Sequence, residues 1–269
     1  ENLRYMREEL FPPMVEALHK LGGIPIKPIL AESMQMGDEN HTRQTACDYI
    51  YDRLMLPALF ELDRPKKEIM KTVRYIVDTP RFFHCYGQAA ARAALVAADG
   101  TEYSTMVTAV CGNGVEFGIK IASLPGQWFT APAPMMKGRY TSSEFTEKDQ
   151  LPWMGDSCVV ECYGMGGFAA AASPIVCNLR GMTLKESIGQ TKEMYRITME
   201  KNYNFPIPNL DFDFLPVGID IRKVLKEGVC PAIHGGMFNR VGGLIGAGMA
   251  RVPMQCFEKA LVAFGEKYL

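Results

Sequence analysis

A chain of 269 residues is long enough for one large domain or two modest ones, each with a real core. Hydrophobic residues make up 48% and charged residues 22%, an ordinary globular balance, and a formal net charge of -1 leaves no basic field to hold a phosphate backbone, so nucleic acid is not an expected partner. The longest apolar stretches, such as 168–177, are about half of the ~20 residues that a bilayer needs, and no membrane partner is expected.

The charged, amphipathic start does not read as a signal peptide, and because the first residue is Glu1 the sequence reads as part of a longer or processed chain. The pattern up to Leu21 is helical, with Phe11, Met14, Val15 and Leu18 on one face and Gly22-Gly23 ending it. Ile24 to Leu30 alternates with prolines and is predicted to be a short extended edge. A helix is expected from Asn40 to about Phe60, capped by Asn40 or Thr42, and Asp63-Arg64-Pro65 breaks it. Ile69, Val73 and Ile76 mark the next helix, and Thr79-Pro80 is read as the cap of an Ala-rich third that Gly100 stops.

Beyond Gly100 the pattern changes. Thr105 to Cys111 and Val115 to Ile121 are predicted strands joined by Gly112-Asn113-Gly114, and Gln127 to Thr130 is another. Residues 138–156 are loop-rich, and Ser157 to Cys162 reads as a buried strand running into Gly164-Met165-Gly166-Gly167. Thr183 and Glu186 have capping-box spacing and open a helix expected to run through Met199. Residues 206–214 read as irregular, 218–224 and 229–233 as short strands or turns, and 253–268 as a terminal helix. The fold class is therefore mixed α/β (α+β). Residues 1–35 and 101–269 are assigned to an α/β domain, with a helical subdomain at 36–100 inserted between them.

Eight cysteines are dispersed without a C-x-x-C pair, which fits a reducing cytoplasm better than a disulfide framework or a structural zinc site. The strongest polar cluster is Met36 to Arg43, MGDENHTR, with two carboxylates, a histidine and an arginine in a loop that enters a helix. Free N–H groups at that helix start, a forked Arg43 and a titratable His41 would suit an anionic small molecule. A solvated capping loop explains the same residues equally well, and a hard-metal loop from Asp38, Glu39 and His41 is a weaker third reading. Asn113 and Glu116 sit on a glycine-flanked turn that is either ligand-facing or a plain hairpin. Gly164, Gly166 and Gly167, followed by Phe168-Ala169, match G-x-G-x-x-A. No acidic strand end follows at the required distance, so the choice is between a small phosphate cradle and tight helix-to-sheet packing. Gly242 to Gly248, with Arg251 after it, is a second glycine-dense turn.

Eight segments in order resemble the YlbE-like family, the family associated with oxamate carbamoyltransferase. They are MGDENHTR at 36–43, NGVEFGIK at 113–120, WFTAPAP at 128–134, GDS at 155–157, ECYGMGGFA at 161–169, IPNLDF at 207–212, GIDIRKV at 218–224 and GAGMARVPMQCFEKAL at 246–261. The family's first motif reads MGDExHNRN, and Thr42 and Gln44 stand here in place of its two asparagines. The resemblance implies a subunit of a multi-subunit cytoplasmic transferase of purine (allantoin) breakdown, with an N-terminal domain preceding this chain. That enzyme interconverts oxalurate plus phosphate with oxamate plus carbamoyl phosphate. Under this reading His41 carries a proton, with Asp38 or Glu39 orienting it. Arg43 and Arg251 bind anionic groups, the turn at Gly164, Gly166 and Gly167 adds N–H donors, and Asn113 and Glu116 hold the amide end. No cofactor or metal is called for. The expected partners are small anionic substrates and the enzyme's other subunits, or further copies of this chain. The competing reading is a non-catalytic structural or ligand-binding subunit.

Overall fold

The described chain is helical as far as Val96 and mixes strands with helices beyond it. The computed structural model describes residues 2–269. α1 (Asn2–Tyr5) passes through a π-helical turn (Met6–Leu10) into α2 (Phe11–Leu21), followed by α3 (Ile26–Gln35), α4 (Thr45–Phe60), α5 (Lys66–Asp78) and α6 (His84–Val96). The strands begin with β1 (Val107–Asn113), β2 (Glu116–Ile121), β3 (Phe129–Pro132), β4 (Lys137–Tyr140) and β5 (Met154–Gly155). Next come α7 (Val159–Cys162), a 3-10 helix (Gly166–Ala172), α8 (Pro174–Leu179) and α9 (Leu184–Met194). The chain closes with β6 (Thr198–Ile207), β7 (Asp213–Ile219), α10 (Ile221–Glu227), β8 (Ala232–Phe238), β9 (Leu244–Arg251) and α11 (Met254–Tyr268). The described pairings are antiparallel, in sheets ordered β3-β2-β1-β5, β4-β9-β8 and β6-β7. The fold is mixed α+β, as its sequence pattern indicates.

Buried apolar side chains form one continuous cluster, from Leu10 and Met14 through Tyr51, Phe83 and Phe117 to Phe257 and Ala260. Trp153 ties two sheets together within it. Glycine is required at both of its contacts, because a Cβ on Gly112 of β1 or on Gly235 of β8 would lie 2.7 Å from the indole ring. Side chains of α11 pack on β2 and β3, and Cys256 donates from Sγ to the Phe117 carbonyl oxygen.

Several local expectations are corrected by long-range contacts. Ile24 to Leu30 is not an extended edge, because residues from Ile26 onward form α3, whose Ile29, Leu30 and Met34 are buried. The proline at its third residue sits in the first turn, where a missing N–H costs nothing. Neither Asn40 nor Thr42 caps α4. The Asp38 carboxylate does so from outside the helix, accepting from the N–H groups of Ala46 (2.7 Å) and Cys47 (3.1 Å). Thr79 likewise does not cap α6; the turn before it is held by Asp48, which accepts from the N–H groups of Arg81 and Phe83 at 2.7 and 2.9 Å. Ser157 to Cys162 is not a strand but a turn into α7. The helix opened by the Thr183–Glu186 capping box ends at Met194 and gives way to β6 by Thr198, so the irregular stretch contains a β6–β7 hairpin.

Candidate functional site

The loop between α3 and α4 is buried rather than solvated. Asp38, Glu39 and Asn40 are fully buried and His41 is 4% exposed. Asn40 takes a left-handed backbone (φ 63°) and spends its amide on the fold, accepting from Ser33 Oγ and donating to the Leu30 carbonyl oxygen. The neighbouring side chains point to different elements. Asp38 reaches α4, whereas Glu39 and His41 reach α7 and β8.

Glu161 of α7 is the hub of the site. Its Oε1 lies 2.8 Å from His41 Nδ1 and also accepts from the N–H groups of His234 (2.9 Å) and Gly167 (3.0 Å). Burial pushes the Glu161 carboxyl up, and the His41 contact together with the two backbone N–H groups pulls against that. A Cβ on Gly166 (φ 57°) would stand 2.2 Å from Glu161 Oε1 and 3.0 Å from the His41 Cβ, so the pair can meet only beside a glycine. His234 stacks a second layer behind the first. Gln190 Nε2 donates to the Gly167 carbonyl oxygen at 2.7 Å and lies 2.9 Å from His234 Nε2. An amide donor at Nε2 assigns the ring proton to Nδ1, which points at Glu39 Oε2 from 3.6 Å.

The charges are arranged accordingly. Burial alone would raise the Glu39 carboxyl, but the facing His234 and the Arg180 guanidinium outweigh it and bring it down to about 2. Glu39 Oε1 also accepts from the N–H groups of Thr42 and Arg43. Burial, then the charge of Arg180, lowers His234 to about 3, so that ring is neutral. Burial also lowers Arg180, to about 10, which leaves it a cation at neutral pH. Arg180 donates to the Gly248 carbonyl oxygen at 3.2 Å and to Thr42 Oγ1.

In front of these groups lies a cavity of about 390 Å³, a size suited to a small metabolite. Its walls are His41, Thr42, Pro80, Arg81, His84 and Ser157 on one side and Gly235, Gly236, Phe238, Leu244, Gly246 and Ala247 on the other. The His41 and His84 rings stack at 5.7 Å with an interplanar angle of 14°. Burial, with a contribution from the charge of His41, lowers His84 to about 4. Gln44 Nε2 lies 2.6 Å from His84 Nδ1 and 3.1 Å from the Asn40 carbonyl oxygen, which ties the residue standing in the family's second asparagine position to the cavity wall. A larger cavity of about 700 Å³ lies between α2, α3 and the Tyr51–Tyr86 pair, but its lining is mostly apolar and it has no carboxylate or arginine in its wall.

The residues singled out in the sequence divide into three sets. His41 and Glu39 join the buried cluster, with Gly166 and Gly167 packed behind them. The Gly167 N–H is used by Glu161, and the Gly166 N–H by the Glu39 carbonyl oxygen at 2.6 Å, so neither faces the cavity. Gly164 (φ 94°) packs on the Pro216 carbonyl oxygen. Asp38 caps α4 and pairs with Arg43 at 3.2 Å, so the three side chains of the proposed metal loop do not converge. Asn113, Glu116 and Arg251 lie outside the cavity wall. Asn113 Oδ1 accepts from the N–H groups of Val115 and Glu116, Glu116 accepts from Thr130 Oγ1, and Arg251 pairs with Glu193 at 2.6 Å. Sequence reasoning did not single out His84, Arg81, Arg180, Gln190, Glu161 or His234 as functional residues. The signal that was available was Glu161 next to the G-x-G-G turn, in a segment whose period was read as a strand.

Comparison with known proteins places the chain in a family. The model of the family described as oxamate carbamoyltransferase subunit AllG matches residues 1–157, the stretch holding the α3–α4 loop, His84 and Arg81. The chain belongs to this family. The AllG subunit of oxamate carbamoyltransferase from Escherichia coli (strain K12) is 35% identical over 98% of the chain, and the uncharacterised protein YahG of the same organism is 35% identical over all of it. The chain spans 64% and 57% of those two proteins. A crystal structure of a conserved protein of unknown function from Enterococcus faecalis V583 superposes with a TM-score of 0.95 at 35% identity, covering 98% of this chain and 64% of that one. That solved protein therefore shares the architecture of this chain. Among the described residues no helix is long and apolar enough to cross a membrane.

Proposed function

We propose that this chain holds the substrate-binding and proton-handling site of an oxamate carbamoyltransferase subunit that works with partner subunits in the cytoplasm, in purine (allantoin) breakdown. The observation that carries the reading is the His41–Glu161 pair, 2.8 Å apart, at the back of a metabolite-sized cavity in an AllG-family chain. Glu161 holds Nδ1 and leaves Nε2, which makes no hydrogen bond to the described residues, for the ligand. In carbamoyl transfer the amide nitrogen of oxamate forms a bond to the carbonyl carbon of carbamoyl phosphate. The carbon–oxygen bond to phosphate breaks, and the amide proton passes to His41 Nε2. Phosphorolysis of oxalurate runs the same steps backwards, with His41 returning the proton. Positioning and proton transfer are the principal demands of such a reaction. The free thiols of all eight cysteines are consistent with a reducing compartment.

A second reading, in which the chain holds substrate for chemistry on another chain, is favoured by one observation: the 35% identical relative is itself named as a subunit. His41→Gln in the reconstituted enzyme separates the two. The first reading expects kcat to fall by about 10²–10⁴-fold with KM changed little. Unchanged turnover would assign the chemistry elsewhere.

A further inference from the structure

The cavity in front of His41 is lined, among the described residues, by two imidazoles, two hydroxyls, the apolar side chains of Pro80, Phe238, Leu244 and Ala247, glycine backbone and one permanent charge, that of Arg81. No carboxylate reaches its wall; Glu39 and Glu161 lie behind it and are engaged by Arg180, His234 and His41. A ligand entering this space meets one cation and no carboxylate in the wall, which favours a negatively charged ligand. Arg43 and Arg251, the cations first expected to serve, are paired with Asp38 and Glu193, whereas the exposed Arg81 guanidinium makes no hydrogen bond or ion pair with the described residues.

The backbone at Arg81 gives an independent argument. Its φ is 63°, in the left-handed region that costs an ordinary side chain about a kcal/mol or more. Among the described residues five other than glycine take such a conformation, and of these Arg81 alone lines this cavity. The turn is held there by the Asp48 carboxylate, which accepts from the N–H groups of Arg81 and Phe83. Glycine would satisfy that backbone at no steric cost, yet the position carries a long cation at the mouth of the site. The stacked His41 and His84 rings form the adjoining wall.

We propose that Arg81 is the anchor for the oxyanion group, phosphate or carboxylate, of the ligand that this cavity takes. The proposal rests on the cavity being the substrate site but not on the reaction carried out there. It makes Arg81 a binding residue and leaves proton transfer to His41.

The test uses the full chain and two probes, inorganic phosphate and oxamate, with binding read by calorimetry and by the ring NMR signals of His84. The wild type is expected to bind at least one probe. Arg81→Ala should weaken that binding at least tenfold, and Arg81→Lys should restore part of it. Arg81→Gly should lose binding like Arg81→Ala while melting no lower than Arg81→Ala, because glycine relieves the strained turn. A loss confined to phosphate or to oxamate names which group is anchored, and either loss supports the proposal. Failure of the wild type to bind either probe, or binding by Arg81→Ala and Arg81→Gly as tight as by the wild type, overturns it. Loss of probe binding in the Arg81 variants of a protein with no carbamoyl transfer would keep the anchor and discard the proposed reaction. Full transfer activity at unchanged KM in Arg81→Ala would discard the anchor and keep the reaction.

Discussion

Two short polar turns in this molecule look alike in sequence and end in opposite surroundings. The loop at 36–44 carries Asp38, Glu39, Asn40 and His41, and all four side chains are buried. The turn at 113–116 carries Asn113 and Glu116, and both are exposed. Each uses an oxygen on a short side chain to satisfy neighbouring backbone N–H groups, Asp38 at α4 and Asn113 at the hairpin. The difference comes from what packs against them. α7 and β8 close over the first turn and bring a carboxylate and a histidine from 120 or more residues away. The second turn closes only on its own strand partners. Burial of this turn brings ionisable groups, Glu161 and His234, against its own Glu39 and His41, which makes it the candidate site.

The largest way to sharpen that contrast is to unbalance the charges of the buried turn. Arg180 is the cation that offsets Glu39 and acts on Glu161. Removing one partner of a buried charge group costs about 3–5 kcal/mol, because the other is left uncompensated. Arg180→Met should therefore lower stability by that order in chemical denaturation, whereas the double variant Arg180→Met with Glu39→Gln should recover a substantial part. Equal loss in both proteins would mean that Arg180 acts through its bond to the Gly248 carbonyl oxygen and its packing rather than its charge.

This contrast also explains what was legible. The helices at α4 and α5, the β1–β2 hairpin, the Thr183–Glu186 capping box and α11 follow from local periodicity and turn chemistry, and all are present. The MGDENHTR loop was readable as polar and unusual, and its histidine does meet a carboxylate. Which carboxylate it meets was not readable. Asp38 and Glu39 are neighbours of His41 in sequence, but Asp38 is engaged at α4 and it is Glu161 that reaches His41. Glu161 was hidden because Ser157 to Cys162 has the apolar run of a strand, and a strand would have placed Glu161 on one sheet face rather than against Gly166 and Gly167. The Asp38 cap of α4 and the Asp48 contacts that hold the turn before α6 escaped because both act across a fold contact, where capping rules look only at the adjacent residue.

Acid is a second, milder lever on the same contrast. His234 and His84 are held below their ordinary range, at about 3 and about 4, mainly by burial. A histidine with a depressed folded pKa is uncharged in the native state while its unfolded counterpart takes a proton. The stability it contributes is therefore complete above about pH 6.5 and is lost as pH falls toward the folded value, at about 1.4 kcal/mol per unit at most. Asp38 works in the opposite direction. Burial raises it to about 6, so its contribution is greatest in acid and is lost as pH rises from about 4 through 6. Between pH 6.5 and 4 the two histidines lower the melting temperature, while Asp38 and Asp52, which burial also raises to about 6, act against them. Relative to the wild type, His234→Gln should gain stability on acidification over that range, and Asp38→Asn should lose it. A parallel pH profile in His234→Gln would show that this ring is not the buried neutral group described.

The smallest effects belong to the exposed turn, and they test whether exposure has left it outside the chemistry. Asn113→Ala removes the acceptor of two backbone N–H groups that water can still reach, so a loss of about 0.5–1 kcal/mol is expected. Glu116→Ala gives up one hydrogen bond from Thr130 on an open surface and should stay within about 0.5 kcal/mol of the wild type. Neither change should alter the Kd for phosphate or oxamate by more than about twofold, since a tenfold change would need about 1.4 kcal/mol of contact that neither residue makes with the cavity wall. If Glu116→Ala weakens oxamate binding tenfold while the fold is intact, the hairpin is part of the ligand site after all. The exposed turn would then have gained from another chain the covering that α7 and β8 give the buried one.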